Sequence, residues 1–517
     1  MKTLLEGAFN RKIHTAPELA KVLGGFPRKK RVVMCHGTFD IVHPGHIRHL
    51  LYAREKGDVL VVSVTCDEHI LKANYRPHVP ESLRAMNLAA LEMVDHVVID
   101  RNATPIENIR LIQPDFFVKG YEYGSGPLPA KTQEEKDTVE GYGGEIIFTP
   151  GDVVFSSSAI IESKLPDLSV EKLALLMRAE HVTFGDLRKA LADAAGMKVH
   201  VVGDTIVDTL THTELIGANA KTPTFSVRYA GKTDFVGGAG IVAKHLCAAG
   251  ADVTFTTVLG DDPLKDFVLE DLQRVGVTMN AIVDRTRPTT NKNAFVADGY
   301  RLLKVDTLDN RSISDRVLAR MVEGLRGVKS DAVVFSDFRH GIFNRGTIPA
   351  LTEAIPAGTF RVGDSQVASR WGNILDFEDF DLITPNEKEA RFALADQDSV
   401  VRPLGSRLYR EAGCKVLMLK LGARGMMTFR GEVEAPSERA QFFVLDSFVD
   451  VVADAVGTGD ALLAYATLAL KGTGNPVIAS ILGSVAAAVE CEYDGNIPVT
   501  PDAVLAKLAT LETRAEI

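Results

Sequence analysis

Two histidines, His43 and His46, lie three residues apart where an apolar strand gives way to a helix. Pro44 suits the first turn of a helix, because that position needs no N–H partner. The N-terminus of a helix attracts anions through its free N–H groups and its dipole. Two imidazoles placed there can contact one phosphate and stabilise the charge that builds on phosphorus during attack. The pattern suits a phosphate-binding site, although an isolated His-x-x-His is more often a surface feature or an adventitious metal pair.

A second turn, from Gly457 to Asp460, precedes an apolar helix late in the chain. Its glycines let the backbone approach a phosphate closely, so Gly457, Thr458 and Gly459 are candidates for an anion hole. Asp460 is placed to accept the proton of an attacking hydroxyl. Gly-x-Gly-Asp alone usually marks an ordinary turn, and its weight here comes from the polar motifs around it.

The elements that must position these motifs alternate between strand and helix in two blocks. Apolar strand patterns occur at 32–35, 59–64, 97–99, 116–118 and 146–148, and again at 199–202, 333–336, 361–364, 382–384 and 416–420. Such alternation predicts parallel sheets covered by helices, with ligands at the carboxyl ends of the strands. The polar motifs fall at these ends.

The bulk composition limits the class of protein. At 517 residues the chain is too long for one ordinary core, so two or three domains are expected. The net charge of −10 argues against a nucleic-acid partner. Five scattered cysteines without a CxxC pair favour a reducing compartment. We find no leader or membrane span, and expect a cytoplasmic protein with no membrane partner, in which the apolar stretches 461–470 and 478–489 form buried helices.

The first block resembles the HxGH cytidylyltransferase-like family over about residues 11–165, and most of all the transferase half of the bifunctional ADP-heptose synthases. The resemblance rests on ordered motifs: Arg31 to Asp40, His43 to His46, Arg76-Pro77 with Arg84, Lys119-Gly120, and Ser156 to Ile161. It implies that His43 and His46 contact the nucleotide phosphates, and that the backbone of Gly37, Thr38 and Phe39 cradles the nucleotide. Lys72, Arg76, Lys119, Ser156, Ser157 and Ser158 would bind phosphate. A solvated role for Lys72, and structural ion pairs for Arg84 and Lys119, remain alternatives.

The second block resembles the PfkB/ribokinase family over about residues 197–515. By that resemblance Asp460 is the catalytic base and Gly457, Thr458 and Gly459 form the anion hole. The remaining implied roles fall into three groups: Asn386 and Glu389 organise Mg²⁺, Lys420, Gly422 and Gly425 flank ATP, and Asp204, Asp208, Gly237 and Gly238 bind the sugar. For Asp208 and Glu389, a surface or capping role is the alternative.

Several positions depart from that family. Ile241 stands where an asparagine usually faces the sugar, and Thr458 replaces an alanine of the anion hole. Segment 209–227 lacks the lid motif of the heptose kinases, and Asp364-Ser365-Gln366 replaces Asp-Pro-Lys. The transferase block also precedes the kinase block, the reverse of the order expected from the synthases. Phosphoryl transfer remains the expected chemistry, but these changes leave the identity of the sugar open.

We therefore predict the α/β fold class, with two Rossmann-like parallel-sheet domains: an HxGH nucleotidyltransferase fold, then a ribokinase fold with a small β lid. The predicted segments are a helical preface (1–28), the transferase (29–165), a helical connector (166–196) and the kinase (197–517). In the connector, Thr183 is the expected N-cap of a helix, with Asp186 three residues on.

The expected activity is bifunctional synthesis of a nucleotide-activated sugar. The kinase would phosphorylate a sugar or sugar phosphate with ATP, and a heptose-like sugar is favoured. The transferase would couple a sugar 1-phosphate to a nucleoside monophosphate, with AMP favoured, and release pyrophosphate. Mg²⁺ is the expected cofactor, a monovalent cation at the kinase site is a further candidate, and a homodimer is expected from the resemblance.

Two alternatives stay open. In one, the kinase block only binds sugar or mediates dimerisation. In the other, the transferase uses CTP with an alditol or amino-alcohol phosphate. Sugar phosphorylation that is lost in an Asp460→Asn variant would exclude the first alternative. Strict use of CTP by the transferase would favour the second.

Overall fold

The computed structural model describes residues 11–70, 77–120, 128–149, 169–218, 225–366, 373–431, 441–493, 495 and 497–515. The chain divides into two compact units, Met1–Leu168 (unit 1) and Ser169–Ile517 (unit 2). Five of the predicted site residues lie outside the described residues: Lys72, Arg76, Ser156, Ser157 and Ser158.

Unit 1 is built on a parallel sheet whose described strands run in the order β1-β4-β3-β2-β5-β6. The strands are β1 (Ile13–His14), β2 (Val32–Gly37), β3 (Val59–Thr65), β4 (His96–Asp100), β5 (Phe116–Lys119) and β6 (Glu145–Phe148). The helices are α1 (Ala16–Leu23), α2 (Pro44–Arg54), α3 (Glu81–Ala89), α4 (Ile106–Ile112) and α5 (Ala130–Glu140). The chain adds β3 and β4 on one side of β2, and β5 and β6 on the other. In open α/β sheets, ligands bind at such a switch point, here between β2 and β5.

The start of unit 1 differs from the predicted helical preface. Helix α1 is present and is closed by a capping box between Thr15 and Glu18. The strand before it was not predicted, and it pairs with β4. A two-residue strand carries too little periodicity to be recognised from sequence, so only its pairing partner reveals it.

Unit 2 contains two sheets. The larger one has the order β11-β10-β7-β14-β15-β16-β17-β18-β19, and the smaller one β13-β12-β8-β9 (the lid sheet). The strands are β7 (Lys198–Gly203), β8 (Thr205–Ala218), β9 (Phe225–Gly238), β10 (Asp252–Leu259), β11 (Thr278–Val283), β12 (Asn291–Ala297), β13 (Tyr300–Thr307), β14 (Ala332–Asp337), β15 (Phe360–Ser365), β16 (Leu382–Ile383), β17 (Val416–Lys420), β18 (Met426–Arg430) and β19 (Phe442–Leu445). Strands β7, β10, β11 and β14 to β17 pair in parallel, and β18 and β19 add antiparallel pairs.

Helices cover the larger sheet. They are α6 (Ser169–Ala179), α7 (Phe184–Asp193), α8 (Ala239–Ala248), α9 (Pro263–Arg274), α10 (Asp315–Gly327), α11 (Thr347–Ala354), α12 (Glu387–Leu394), α13 (Val401–Ala412), α14 (Thr458–Thr473), α15 (Pro476–Cys491) and α16 (Pro501–Ala515). The predicted apolar stretches fall in α14 and α15, and both helices are buried along almost their whole length. In the described part of the chain, no helix combines the length and apolarity that crossing a membrane requires.

The two connector helices, α6 and α7, pack on the body of unit 2. Leu173 and Leu187 are buried in its largest hydrophobic cluster. Thr183 caps α7, as predicted, and Asp186 completes the capping box. Lys172 on α6 also pairs with Asp446 at 3.0 Å, just beyond β19. The predicted limits of the transferase (29–165), the connector (166–196) and the kinase (197–517) remain a proposal.

Candidate active sites

His43 and His46 come together at the start of α2. His43 is the N-cap, and its Nδ1 accepts the amide hydrogen of Gly45 at 3.1 Å. A neutral imidazole that accepts at one nitrogen carries its hydrogen on the other, so Nε2 of His43 is a donor suited to a phosphate oxygen. The two rings lie 3.9 Å apart between centroids. Burial lowers the pKa of His43, so it acts as a neutral donor.

The loop before α2 is held by a buried arginine. Arg84 is fully buried and donates to the carbonyl oxygens of Thr38, Val79 and Thr65. Its guanidinium also pairs with Asp67 at 2.6 Å. Arg84 therefore fixes the backbone around Thr38, and the structure gives it the structural role that the sequence left as an alternative.

Lys119 lies at the end of β5, beside the point where the sheet order reverses. Its ammonium pairs with Glu135 on α5. Gly37 ends the neighbouring strand β2, and Phe39 lies on the loop after it, with a φ of +48° and its ring 5.1 Å from that of His46. The ion pair supports the structural alternative for Lys119, and its contact with nucleotide stays a prediction.

The residues predicted to form an anion hole in unit 2 lie at the turn that opens α14. Gly457 adopts a φ of +88° as the N-cap of α14, a conformation that favours glycine. Thr458 and Gly459 open the helix, where the first amides have no partner within the helix. Asp460 follows in the same turn and is 6% exposed. Burial, with added repulsion from Asp364, raises the pKa of Asp460 to about 8.

A lysine lies directly against this turn. Lys420 Nζ would be 3.3 Å from a Cβ at position 459, so Gly459 leaves room for the ammonium. Lys420 donates to Asp364 Oδ1 at 2.9 Å, and Thr384 donates to the same oxygen at 2.6 Å. Although burial opposes it, the surrounding carboxylates raise the pKa of Lys420. The site therefore holds a fixed positive charge where a phosphoryl group would be transferred.

Asn386 and Glu389 form a capping box at the start of α12. Asn386 Oδ1 accepts the amide hydrogen of Glu389 at 3.0 Å, and Glu389 Oε2 accepts that of Asn386 at 2.7 Å. Burial raises the pKa of Glu389 to about 7. Among the described residues, no group of three acids, histidines or cysteines is arranged to hold a metal ion. The capping role is observed, and metal binding by this pair remains a prediction.

Two glycines shape the turn after β17. Gly422 and Gly425 have φ values of +62° and +82°. A Cβ on Gly425 would lie 2.0 Å from the carbonyl oxygen of Leu445, so no other residue fits. This turn follows Lys420, and the predicted contact with ATP phosphates stays a prediction.

Asp204 anchors a loop at the predicted sugar side. Its Oδ2 accepts the amide hydrogens of Phe338 at 3.1 Å and His340 at 3.2 Å. Gly238 packs so closely that a Cβ there would lie 2.5 Å from the carbonyl oxygen of Asp204. Asp204 therefore positions the loop after β14, a role that the sequence did not reveal, because its partners lie over 130 residues away.

The other predicted sugar residues surround the start of α8. Gly237, the residue before the end of β9, is in register with Ile206, and Ile241 is 1% exposed within α8. Asp208 lies on β8 of the lid sheet, and burial raises its pKa while Lys292 and Lys304 oppose the shift. Direct contact of these residues with a sugar remains a prediction.

Glu490 is a buried acid that sequence reasoning missed. It is 1% exposed at the end of α15, and within the described part of the chain neither carboxylate oxygen has a hydrogen-bond partner. Burial, with Asp460 and Asp454 nearby, raises its pKa to about 8. The amides of Ala453 and Asp454 donate to the carbonyl oxygen of Cys491, which ties this helix end to the loop before the anion hole. A lone acid ending the apolar run 478–489 was the available signal.

Two family models match the chain. The cytidylyltransferase-like model matches residues 34–163, and the pfkB carbohydrate kinase model matches residues 197–503. The transferase-like domain thus precedes the kinase domain in this chain, and each match contains the motif that its resemblance predicted.

Curated relatives carry the name Bifunctional protein HldE. The relative from a Nitratiruptor species is 48% identical over 120 residues, 22% of this chain and 26% of its own length. The relative from Desulfatibacillum aliphaticivorans is 27% identical over 321 residues, 60% of this chain and 63% of its own length. The chain therefore aligns with less than two-thirds of the length of either relative.

Solved structures share the fold of unit 2. Phosphofructokinase-2 from Escherichia coli in complex with potassium superposes with a TM-score of 0.51 at 16% identity, covering 62% of this chain and 99% of that one. The same enzyme in complex with substrates and products also gives 0.51 at 16% identity, covering 61% and 99%. The predicted fold class is confirmed. The chain belongs to the pfkB family of carbohydrate kinases, with a cytidylyltransferase-like domain ahead of the kinase domain.

Proposed function

We propose that the protein makes a nucleotide-activated sugar in two reactions. Unit 2 phosphorylates a sugar with ATP, and unit 1 joins a sugar 1-phosphate to a nucleoside monophosphate, releasing pyrophosphate. The observation that carries the kinase reaction is the buried set of Asp460, Lys420 and Asp364 beneath the amides of the anion hole. This set favours an active kinase over a domain that only binds sugar, because an unused buried charge cluster would be costly.

The kinase mechanism follows from that set. Asp460 accepts the proton of the attacking sugar hydroxyl. The amides of Thr458 and Gly459 and the ammonium of Lys420 stabilise the charge on the transferred phosphoryl group. Asp364 holds Lys420 in place at 2.9 Å. The reaction requires no covalent intermediate.

The transferase mechanism rests on the start of α2. His43 and His46 donate to the phosphates as the sugar phosphate attacks the α-phosphate of the nucleotide. Arg84 keeps the backbone at Thr38 fixed, so the nucleotide meets a preorganised loop. We favour ATP as the nucleotide and a heptose-like sugar, because the relatives named HldE support the ADP-heptose resemblance.

Cations complete the kinase site in this proposal. Mg²⁺ would be held by one or two carboxylates together with substrate phosphates, and would supply charge neutralisation. Glu389 is the carboxylate we propose for this role, together with Asn386, which donates to it. We place a monovalent cation beside Glu490 and Asp454, because the carboxylate oxygens of Glu490 have no hydrogen-bond partner among the described residues and a bound cation would favour their ionised form. The phosphofructokinase-2 complex with potassium supports this choice.

We also propose a homodimer through the lid sheet. Large apolar side chains are exposed on this sheet, including Phe225 (73%), Tyr300 (77%) and Leu303 (59%). Exposed apolar side chains on both edge strands of this sheet, β9 and β13, favour an interaction surface there. Light scattering should give twice the chain mass, and a Leu303→Asp variant should be monomeric; a monomeric wild type would contradict the proposal.

Product analysis by mass spectrometry tests the proposed activities. Purified protein would receive heptose phosphates, related sugars and each nucleoside triphosphate in turn. We expect a phosphorylated sugar with ATP, and a nucleotide sugar with pyrophosphate when a sugar 1-phosphate is supplied. Strict use of CTP with an alditol or amino-alcohol phosphate would instead establish the alternative transferase reaction. Absence of any phosphorylated sugar across the panel would contradict the kinase proposal.

A further inference from the structure

The end of β15 is anchored by bonds to other strands of the larger sheet. Asp364 accepts from Lys420 on β17, as described above. Ser365 Oγ donates to Asp337 Oδ2 on β14 at 2.8 Å, and the backbone amide of Gln366 donates to the carbonyl oxygen of Asp337 at 2.9 Å. The backbone is therefore fixed at the point from which the Gln366 side chain extends.

The side chain of Gln366 reaches the proposed catalytic base. Its Nε2 donates to Asp460 Oδ1 at 3.4 Å. Among the described residues, no other hydrogen bond is made to this carboxylate. A donor on one oxygen restricts rotation of the carboxyl group and leaves the other oxygen, Oδ2, to accept a proton. The contact therefore distinguishes the two oxygens of Asp460.

The charged groups around Asp460 are mostly acids. They are Asp364 on β15, Asp208 on β8, Glu389 on α12 and Glu490 on α15, with Lys420 on β17 as a cation. Burial, together with repulsion from Asp364, raises the pKa of Asp460 to about 8. The amide of Gln366 adds a donor to these surroundings without adding charge, so it stabilises the ionised carboxylate less than an ammonium would.

The residue at position 366 is one of the departures seen in the sequence, since the resemblance predicts a lysine there. A second ammonium beside Lys420 would favour the ionised form of Asp460 at lower pH. It would also make that carboxylate a weaker proton acceptor. A neutral donor keeps the acceptor strong and still holds its orientation.

We propose that Gln366 is a positioning residue of the kinase reaction: its amide holds Oδ1 of Asp460, so that Oδ2 meets the sugar hydroxyl, and its neutrality keeps the carboxylate a strong proton acceptor. Gln366 acts through Asp460 and contacts no reacting atom. This inference rests on the proposed kinase function and deepens it.

The test is the pH profile of kinase kcat/KM in the full-length wild type, Gln366→Met and Gln366→Lys, with the sugar that wild type phosphorylates fastest. Methionine removes the donor at similar length, so kcat should fall by up to about tenfold and the midpoint of the profile should move to higher pH. Lysine keeps a donor and adds charge, so the midpoint should move to lower pH by about one pH unit or more. The KM for ATP should stay unchanged in both variants.

Opposite movement of the two midpoints is the signature of this role. A purely structural role for Gln366 would lower kcat in both variants without moving the midpoints apart. Midpoints that stay at the wild-type value, or that move in the same direction in both variants, would overturn the inference.

Gln273 provides the matched control. It is exposed on α9, which packs on β11 at the edge of the larger sheet, away from β15. Gln273→Lys adds the same charge at a distance from the site, and Gln273→Met removes the same amide. Both variants should keep the wild-type midpoint. A midpoint in Gln273→Lys that moves as far as in Gln366→Lys would overturn the inference, because net charge alone would then account for the effect.

Failure of the kinase proposal itself is distinguishable. If wild type phosphorylated no sugar, the kinase function would fail, and melting curves would test the contact by itself. Gln366→Lys should raise the melting temperature more at about pH 9, where Asp460 is ionised, than at about pH 5, where it is protonated. This gain should disappear in an Asp460→Asn background. An equal gain with and without the carboxylate would overturn the contact between Gln366 and Asp460.

Discussion

At the scale of single residues, the kinase site depends on charges kept out of water. Asp460 is buried beside Asp364, and Lys420 partly offsets their repulsion. Such an arrangement keeps a carboxyl protonated at a pH where exposed acids are ionised. The pKa of Asp460, the proposed catalytic base, is therefore raised toward neutral pH, which would suit proton transfer from a sugar hydroxyl.

The pH dependence of the kinase reaction tests this arrangement. The pKa of Asp460 is raised to about 8, and only its ionised form can accept a proton. We expect kcat/KM to rise about tenfold per pH unit between pH 6 and 7 and to level off above about pH 8. Transferase kcat/KM in the same preparation provides the control and should lack this profile. A flat kinase profile between pH 6 and 8 would refute the role of Asp460.

Glu490 gives a second prediction, on stability. Its folded pKa of about 8 lies above its ordinary value of 4.5, so the folded state binds more protons. Stability from this group is fully present below about pH 4.5 and is lost as pH rises toward 8. At pH 8, in the absence of added monovalent cation, Glu490→Gln should therefore raise the free energy of unfolding by an amount on the order of 1 kcal/mol or more. The melting temperature should rise accordingly.

Added potassium should reverse the order of stability of wild type and Glu490→Gln. A cation bound beside Glu490 would stabilise wild type in proportion to its concentration and leave Glu490→Gln unaffected. Melting curves of both proteins in potassium and in a bulky organic cation provide the measurement. The same increase in both proteins would show that Glu490 takes no part in cation binding.

At the scale of elements, most strands could be predicted and most long-range contacts could not. The strand at Val416–Lys420 is apolar and ends in a glycine turn, so sequence alone placed it correctly. Asn386 and Glu389 were predicted for metal chemistry, with capping as an alternative for Glu389, and the structure shows that they cap α12. The bonds from Phe338 and His340 to Asp204 could not be predicted, because the partners lie more than 130 residues apart and no local pattern encodes such a contact.

The connector helices supply a prediction at this scale. Leu187 on α7 is fully buried in the main cluster of unit 2, and Lys189 on the same helix is exposed. Leu187→Ala should destabilise unit 2 by about 3 kcal/mol through lost burial and a residual cavity. Lys189→Ala should change stability by less than about 0.5 kcal/mol. Urea midpoints for kinase activity measure both, and equal midpoints would mean that α7 does not stabilise the kinase unit.

At the scale of the whole molecule, the central claim is that one chain contains two chemically independent sites. The family matches assign a different domain to each compact unit, and each unit holds its own motif at a helix start. Because the motifs share no described residue, a substitution in one should leave the chemistry of the other intact.

Assaying both reactions in three proteins tests this claim most directly. Wild type, His46→Ala and Asp460→Asn would be measured for pyrophosphate release and for sugar phosphorylation under the same conditions. We predict that His46→Ala loses pyrophosphate release and keeps kinase turnover, while Asp460→Asn shows the reverse. Loss of both activities in either variant, with unchanged melting curves, would contradict the presence of two independent sites.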